Sequence, residues 1–382
     1  MQRLWKLQEG LEVMHLSNYN DISWLTLLIP IGSNHDNEDK GMAHLLEHSL
    51  IHSVKETMNF PIGILGITQF DKTLYRIKCF QQDLVYISIR ALIELWAGNY
   101  LCEEHMKKSK SEILLEIVEN EPIYANNKIL LDEIGLSEFL PVGIAECIQK
   151  ANYNQLENFH KKNYISSNCT IIWCGPLEKK TLDFLNQNSI RQHIRTNISD
   201  ACSHQIQHNT IYSYHILNKA LQVFIPSHYI MTPVTNISLD IMSDYLEKLL
   251  TKIHVRNFSC RSGVRVYDND HKYICFEIYS DNAKIFNHIF VKSLPQKLYT
   301  LIKSDLSDFS FLQYINREIE QLGQKFEITN SEITNQAIYS IMYNSPIFEN
   351  ESYKKAYLSL SKSEILQFIK YHLLGPTVRM LN

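Results

Sequence analysis

The sequence predicts an α+β protein made of two homologous halves, each a mostly antiparallel sheet packed with helices. A chain of 382 residues is longer than one hydrophobic core usually serves, which favours two domains. Hydrophobic residues make up 45% and charged residues 20% of the chain, as is typical of globular proteins. Strand-like and helix-like segments follow one another in the same order twice, which indicates an internal duplication.

In the first half, turn residues separate short apolar segments, typical of strands, from longer segments with apolar residues three and four apart, typical of helices. The predicted strands are residues 11–16, 24–29, 74–80 and 169–174. The predicted helices are residues 41–51, 83–100 and 103–121.

A polar segment divides the chain. Residues 191–213 are rich in Asn, Gln, His, Arg and Ser, which favours an exposed linker. We therefore expect a first domain at 1–190 and a homologous second domain at 214–382.

The second half repeats the order of the first. Residues 220–226 echo residues 25–30, and both segments precede a polar loop and an amphipathic helix, predicted at 237–250 in the second copy. Strands are expected at 263–267 and 273–279. The second helix contains no histidine, so we expect any catalytic chemistry in the first half.

Charge and composition argue against several classes of protein. The net charge is −4 and the 37 basic residues are scattered, so we expect no nucleic-acid partner. The eight cysteines are irregularly spaced, which favours free thiols in a reducing compartment over disulfides. The first residues lack the apolar core of a signal peptide, and no apolar run approaches the roughly 20 residues that span a bilayer. These features predict a cytoplasmic protein without a membrane span.

The first predicted helix carries the spacing of a metal site. His44 and His48 are four positions apart, so their side chains project from one face. Two such imidazoles can bind one zinc ion, and Glu47 can take a proton from a water molecule that the ion activates. This is the inverted order His-x-x-Glu-His of the inverzincins. The alternative is a helix whose histidines hydrogen-bond within the core.

A catalytic zinc ion needs a third protein ligand. The helix predicted at 103–121 offers Glu112, Glu116 and Glu119 at spacings of four and three, and hence on one face. Such a face points either at solvent or at a cation. The spacing alone leaves the choice among the three open.

A longer stretch of the first half carries a family resemblance. Residues 25–33 form a strand-like run ending in Gly-Ser, and an acidic loop connects them to Gly41-Met-Ala-His-Leu-Leu-Glu-His48. This arrangement resembles the start of the pitrilysin/insulinase/mitochondrial processing peptidase family. Thr73-Leu-Tyr75, residues 113–117 and residues 156–175 resemble later segments of the family's first domain. The second half fits only in the order of its elements.

The resemblance implies one zinc ion per chain. It makes His44 and His48 zinc ligands, Glu47 the general base and Glu116 the third ligand, with Glu119 in reserve.

The chain departs from the family at two places near this site. Glu116 lies 68 positions after His48, a shorter spacing than is usual in the family, and the missing residues fall between 53 and 68. The family usually has a second acidic residue seven positions before the third ligand, where this chain has Ser109.

The resemblance also implies how a peptide binds. In the family, substrate adds as an extra strand to an edge strand, here residues 63–69, and main-chain pairing of that kind reads extended backbone. The family's Asn-Ala is replaced there by Leu65-Gly66. An Arg and a Tyr of the last domain polarise the scissile carbonyl in the family. The candidates in this chain are Arg256, Arg261, Arg265 and Tyr267, of which Arg265 and Tyr267 are preferred. A surface salt-bridge role is the alternative for any one of them.

These implications predict a zinc metalloendopeptidase subunit that cleaves peptides in a chamber formed by a dimer. The partner is either a second copy or a related peptidase-like subunit. A narrower hypothesis is processing of a ribosomally made peptide, such as removal of a leader or cleavage of a bacteriocin precursor. The alternative is a non-catalytic structural or partner subunit of a peptidase-like heterodimer.

Overall fold

The computed structural model describes most of the chain, in two compact units. The described residues are 2–17, 22–165, 167–195, 210–216, 220–227, 232–253, 255, 257–268, 270–280, 286–324, 330–343 and 350–381. The first unit comprises Met1–Tyr124, Gly135–Ser199 and Thr329–Ile338, and the second comprises Ala125–Ile134, Asp200–Ile328 and Tyr339–Asn382.

A seven-stranded sheet forms the centre of the first unit. Its strands are β1 (Gln2–Leu7), β2 (Glu12–Ser17), β3 (Ser23–Ile29), β4 (Ile64–Thr68), β5 (Thr73–Cys79), β6 (Thr170–Gly175) and β7 (Ser189–Arg195). Their spatial order is β4-β5-β3-β6-β2-β1-β7. Every residue of β6 is buried, as in strands covered on both faces.

Helices pack on this sheet. The helices of the first unit are α1 (Met42–Thr57), α2 (Val85–Ala97), α3 (Glu103–Glu133), α4 (Ala145–Lys150), α5 (Tyr153–Asn163) and α6 (Lys179–Asn188). The residues of α3 from Ala125 onwards belong to the second unit. Helix α1 contacts β4, α2 and α5. Its Leu45, Leu46 and Leu50 are fully buried and join Leu25 and Leu27 of β3 in one core, so the helix that carries the histidines is firmly anchored.

The second unit has a five-stranded sheet. Its strands are β8 (Thr210–Ile216), β9 (Ala220–Pro226), β10 (Phe258–Val266), β11 (Lys272–Ser280) and β12 (Thr377–Met380), and their order is β10-β11-β9-β8-β12. The remaining helices are α7 (Pro233–Lys252), α8 (His288–Asp305), α9 (Asp308–Gln324), α10 (Asn330–Tyr343), α11 (Asn350–Ser359) and α12 (Lys362–Leu374). The residues of α10 up to Ile338 belong to the first unit.

The predicted fold class is confirmed. Both units combine helices with a sheet whose described pairs are antiparallel, apart from the parallel pairs β2–β6 and β8–β12. Along the chain, β2-β3-α1-β4-β5-α2 is repeated as β8-β9-α7-β10-β11-α8. In space the copies differ, because β6 lies between β2 and β3, whereas β8 and β9 pair directly.

The segment predicted as a linker is partly regular structure. Its first five residues belong to β7 and its last four to β8, while residues 196–209 lie outside the described residues. The domain boundaries 1–190 and 214–382 stay a prediction. In the part of the chain that the structure describes, no helix is long and apolar enough to cross a membrane.

Candidate metal centre

The start of α1 is held by a side chain from the preceding loop. Gly41 has φ of +103°, a conformation that favours glycine. Asp36 accepts hydrogen bonds from the backbone N–H of Gly41 at 2.6 Å and of Ala43 at 2.8 Å. The carboxylate thus satisfies two amides of the first helical turn and fixes the helix just before His44.

His44 is buried and neutral. Burial lowers the pKa of its imidazole to about 3, and the nearby His48 acts in the same direction. Its Nδ1 lies 3.5 Å from the carbonyl oxygen of Val142. A proton on Nδ1 that is donated to this carbonyl leaves the lone pair on Nε2, as a metal ligand requires.

His48 stands beside His44 with its ring turned by contact with α3. The two ring centroids are 4.7 Å apart. The Nδ1 atom of His48 lies 3.0 Å from Glu112 Oε2. The carboxylate of Glu112 thus accepts from His48 as the carbonyl of Val142 accepts from His44. Both Nε2 atoms are thereby left for another partner.

Both Nε2 atoms face Glu116. Its Oε2 lies 3.4 Å from His44 Nε2, and its Oε1 lies 3.5 Å from His48 Nε2. Neighbouring ligand atoms around a tetrahedral zinc ion, each bonded at about 2.0–2.1 Å, are about 3.3 Å apart. Two imidazoles and a carboxylate at these separations are a donor set that fits zinc.

Glu47 faces the edge strand rather than the histidines. Its Oε2 lies 4.0 Å from His44 Nε2 and accepts a 2.9 Å hydrogen bond from Thr68 Oγ1. A Cβ atom on Gly66 would lie 1.8 Å from Glu47 Oε1, so the carboxylate occupies the space over this glycine. Burial raises the pKa of Glu47 to about 7.

Two carboxylates therefore compete for the place of third ligand by proximity. His44, Glu47 and His48 each offer a ligand atom within 4.8 Å of the others. Glu116 is closer to both imidazoles than 4.0 Å, and Glu47 is held by Thr68. The geometry favours Glu116 as the ligand and leaves Glu47 beside the site.

The remaining glutamates of α3 differ from one another. Glu119 is exposed, and among the described contacts it has no ion pair with either histidine. The spacing of Glu112 predicted that it faces solvent or a cation. In the structure it contacts both His48 and His52, at 3.0 Å each. His52 escaped the sequence-based prediction, although its position four residues after His48 was a signal.

Arg265 and Tyr267 belong to the second unit. Arg265 Nη2 pairs with Glu277 Oε1 at 2.9 Å. Burial raises the pKa of the Tyr267 phenol to about 12. Their assignment to substrate binding stays a prediction.

Curated relatives of the chain include peptidases. "Probable zinc protease PqqL" of Haemophilus influenzae is 23% identical over 215 residues, which cover 48% of this chain and 22% of that protein. The chloroplastic stromal processing peptidase of Oryza sativa subsp. japonica is 27% identical over 165 residues, which cover 39% of this chain and 13% of that protein. The matched segments span less than a quarter of either relative's own length.

Solved structures share the whole fold. The first half of the periplasmic protease PqqL from Escherichia coli matches with a TM-score of 0.74 at 15% identity, over 100% of this chain and 92% of that chain. A peptidase M16 inactive domain from Pseudomonas fluorescens matches with a TM-score of 0.69 at 12% identity, over 100% and 97%. The fold is thus common to a protease half and to a domain described as inactive.

No protein-family model matches the chain. The similarity to a named zinc protease and a processing peptidase, the M16 peptidase fold and the inverted histidine motif agree with one another. These similarities support the resemblance of the chain to the pitrilysin/insulinase family of peptidases, M16.

Proposed function

We propose that the chain is a zinc-dependent endopeptidase subunit in which His44, His48 and Glu116 hold one zinc ion and Glu47 is the general base. One observation carries this proposal: Nε2 of each histidine faces a different oxygen of Glu116, at 3.4 and 3.5 Å. The convergence of two imidazoles and one carboxylate at these separations is the arrangement that a zinc ion requires.

The protein groups have separate tasks. Bound zinc supplies a Lewis acid that polarises the scissile carbonyl and lowers the pKa of a water molecule. Glu47 takes the proton of the attacking water on a carboxylate oxygen and passes it to the nitrogen of the leaving amine. The hydrogen bond from Thr68, 2.9 Å long, keeps that carboxylate beside the site before substrate arrives.

Peptide binding is assigned to the edge strand β4. It is the outermost strand of the first sheet, and an extended peptide can add to such an edge through main-chain hydrogen bonds. Thr68 and Gly66 of this strand contact Glu47, so a paired peptide would pass the base. Arg265 and Tyr267 are proposed to contact the substrate as well.

Metal analysis together with hydrolysis tests this proposal. The wild-type chain is expected to bind about one zinc ion, as a single three-ligand site requires, and His48→Ala to lose both zinc and peptidase activity. Glu47→Gln should keep its zinc and lose hydrolysis by about 10²–10⁴-fold. His288→Ala removes an exposed histidine and serves as the control. A wild-type chain that binds no zinc would overturn the proposal.

The second candidate is a non-catalytic partner subunit. It is favoured by the similarity in fold to a domain described as inactive. This reading predicts a zinc-loaded chain that stays inert toward peptides, alone and with its natural partner, and whose Glu47→Gln variant behaves as the wild type. Co-purification from the native host, with mass spectrometry of the bound proteins, identifies a homodimer or a heterodimer.

A narrower proposal concerns the substrate. It is a ribosomally made peptide, from which the chain removes a leader or which it cleaves as a bacteriocin precursor. The short connection 58–63 between α1 and β4 supports this, because a shortened segment beside the binding edge suits a specialised substrate. Cleavage of a peptide encoded beside the gene, and not of generic peptides, is expected. The opposite selectivity would refute it.

The cytoplasmic location is part of the same proposal. One matching structure is described as a periplasmic protease, so the family does not decide the compartment. Cell fractionation of the native host, with the chain detected by an antibody, tests the location. We expect the chain in the fraction that carries cytosolic markers, and recovery with periplasmic markers would contradict this.

A further inference from the structure

One carboxylate oxygen is shared by two imidazoles next to the metal centre. Glu112 Oε2 lies 3.0 Å from His48 Nδ1 and 3.0 Å from His52 Nε2. His48 and His52 are four apart on α1, so both rings reach the same point on α3. Glu112 is thus held between two donors on one helix.

Glu112 is on the wrong side of His48 to be a ligand of the same ion. The two nitrogens of an imidazole point in different directions, and Nε2 of His48 faces Glu116 at 3.5 Å. A ring that donates from Nδ1 to a carboxylate keeps its lone pair on Nε2. The contact with Glu112 therefore selects the tautomer that the metal site needs.

His52 restrains Glu112. The Glu112 side chain is 48% exposed, and an exposed glutamate with one hydrogen bond would sample several rotamers. The second hydrogen bond, from a His52 side chain that is only 22% exposed, fixes the carboxylate. His52 in turn lies 4.0 Å from Glu56, which Lys108 holds at 2.9 Å.

Ser109 does not compete for this role. This residue, seven positions before Glu116, is fully buried. Its hydroxyl donates to the carbonyl of His105 at 2.8 Å and accepts from Ser49 at 3.2 Å. It faces α1 through the core, and the carboxylate that reaches His48 comes from the next turn of α3.

We infer that Glu112 and His52 form a positioning pair for His48: Glu112 selects the tautomer of His48, and His52 holds Glu112 in place. This inference rests on the proposed zinc site and adds two residues to it. Neither residue touches substrate or metal.

Zinc affinity, measured by competition with a chromogenic chelator, tests the pair. Glu112→Ala is expected to raise the zinc Kd about 10–100-fold, as for other carboxylates that orient ligand histidines. Glu112→Gln keeps an acceptor oxygen without the charge and should fall between Glu112→Ala and wild type. His52→Ala should raise the Kd less than Glu112→Ala, and His52→Gln, whose amide still donates, should restore it.

Matched controls separate positioning from stability. Glu103→Gln changes an exposed glutamate of the same helix, and it should leave the zinc Kd and the unfolding midpoint unchanged. Nitrogen-15 NMR of the imidazoles in the zinc-free protein gives a second readout. His48 is expected to carry its proton on Nδ1 in the wild type and to become a mixture of tautomers in Glu112→Ala.

The outcomes are distinct. If wild type binds zinc and Glu112→Ala keeps both its Kd and a single His48 tautomer, the positioning role is wrong and the proposed function stands. If wild type binds no zinc, the proposed function and this inference fail together. A weaker Kd with a mixed tautomer, restored in His52→Gln relative to His52→Ala, supports the pair.

Discussion

Two buried histidines of the first unit are neutral but differ in what surrounds their second ring nitrogen. Burial lowers the pKa of His44 to about 3 and that of His15 to about 4. In His44 the free nitrogen faces Glu116. In His15, Nε2 donates to the carbonyl of Gly175 at 2.8 Å, and the buried Nδ1 has no hydrogen-bond partner among the described atoms. A proton on that Nδ1 would be a buried donor without an acceptor.

Protonation of His15 should destabilise the fold in acid. Its pKa falls from the ordinary 6.5 to about 4 in the folded chain, so the unfolded chain binds the proton first as the pH falls. The contribution to stability is complete above pH 6.5 and is lost between pH 6.5 and 4, by up to about 3 kcal/mol. Urea unfolding across this pH range measures it.

His15→Gln is the matched variant for that experiment. Its amide can still donate to the carbonyl of Gly175 but takes up no proton in this range. The loss of stability between neutral and acidic pH should be smaller in this variant than in wild type. Equal losses in the two proteins would show that other groups cause the acid sensitivity.

At the scale of single elements, the connection from β3 to α1 is built around a glycine under the β4–β5 turn. A Cβ atom on Gly32 would lie 2.2 Å from the backbone oxygen of Gln69 and 2.6 Å from the backbone nitrogen of Lys72. Backbone atoms of a hairpin cannot yield as a side chain can. The contact therefore sets how closely the hairpin approaches the connection.

Two glycine substitutions should distinguish a close contact with backbone from a close contact with side chains. Gly32→Ala forces backbone apart and is expected to cost about 1–3 kcal/mol. Gly66→Ala meets only side-chain atoms, those of Glu47 and Ile51, so its cost should stay below that of Gly32→Ala while the carboxylate swings away from Thr68. Urea unfolding of both variants measures the difference. Equal costs would contradict this account of the hairpin.

The cap of α1 gives a second prediction at this scale. Asp36 provides both side-chain oxygens to the first amides of the helix. Asp36→Ala is expected to lower the free energy of unfolding by about 1–2 kcal/mol, and Asp36→Asn, which keeps one acceptor, by less. Chemical denaturation of both variants checks the order. An Asp36→Ala protein as stable as wild type would show that the loop does not cap the helix.

The lengths of α1 and α3 show where prediction from the sequence reached its limit. Apolar spacing predicted α1 to end at Ile51, but it continues to Thr57. The last turns are anchored by Val54, which is fully buried in the core. His52 and Glu56 lie in the same turns and pair with Glu112 and Lys108 of α3. Partners from a distant part of the chain cannot be recognised from local periodicity.

The histidine motif and the proposed third ligand were predicted from the sequence on different grounds. His44, Glu47 and His48 follow one another on one helix, so their proximity is local. Glu116 required the family resemblance, because the spacing of the glutamates in α3 left three choices. The contact between Glu112 and His48 could be recognised only from the distance between two helices.

At the scale of the whole molecule, the sequence showed the duplication in the order of elements along the chain. It did not show the spatial order of the strands within each sheet. The sequence places β2 before β3 and β8 before β9 alike. The parallel strand β6 lies between the first pair, whereas β12 lies outside the second. Strand pairing depends on long-range packing, so similar local patterns are compatible with both arrangements.

The first unit also depends on a segment far along the chain. Thr329–Ile338 belongs to it, and Asn330 donates to the carbonyl of Ile22. Asn330→Ala in the full chain is expected to cost about 1 kcal/mol, because that partly buried carbonyl loses its donor. Urea unfolding, with exposed Asn168→Ala as control, measures this. Equal stability of the two variants would mean that the distant segment contributes little.

Zinc binding and hydrolysis should respond differently to chain concentration. His44, His48 and Glu116 all lie within Met1–Tyr124 of one unit, so the proposed site is complete in a single chain. Hydrolysis in a chamber between two subunits instead requires association, which weakens on dilution. We expect zinc content per chain to stay constant over roughly a hundredfold dilution while specific activity falls, and added partner subunit to restore it. Zinc that is lost in parallel with activity would mean that a second subunit supplies a ligand.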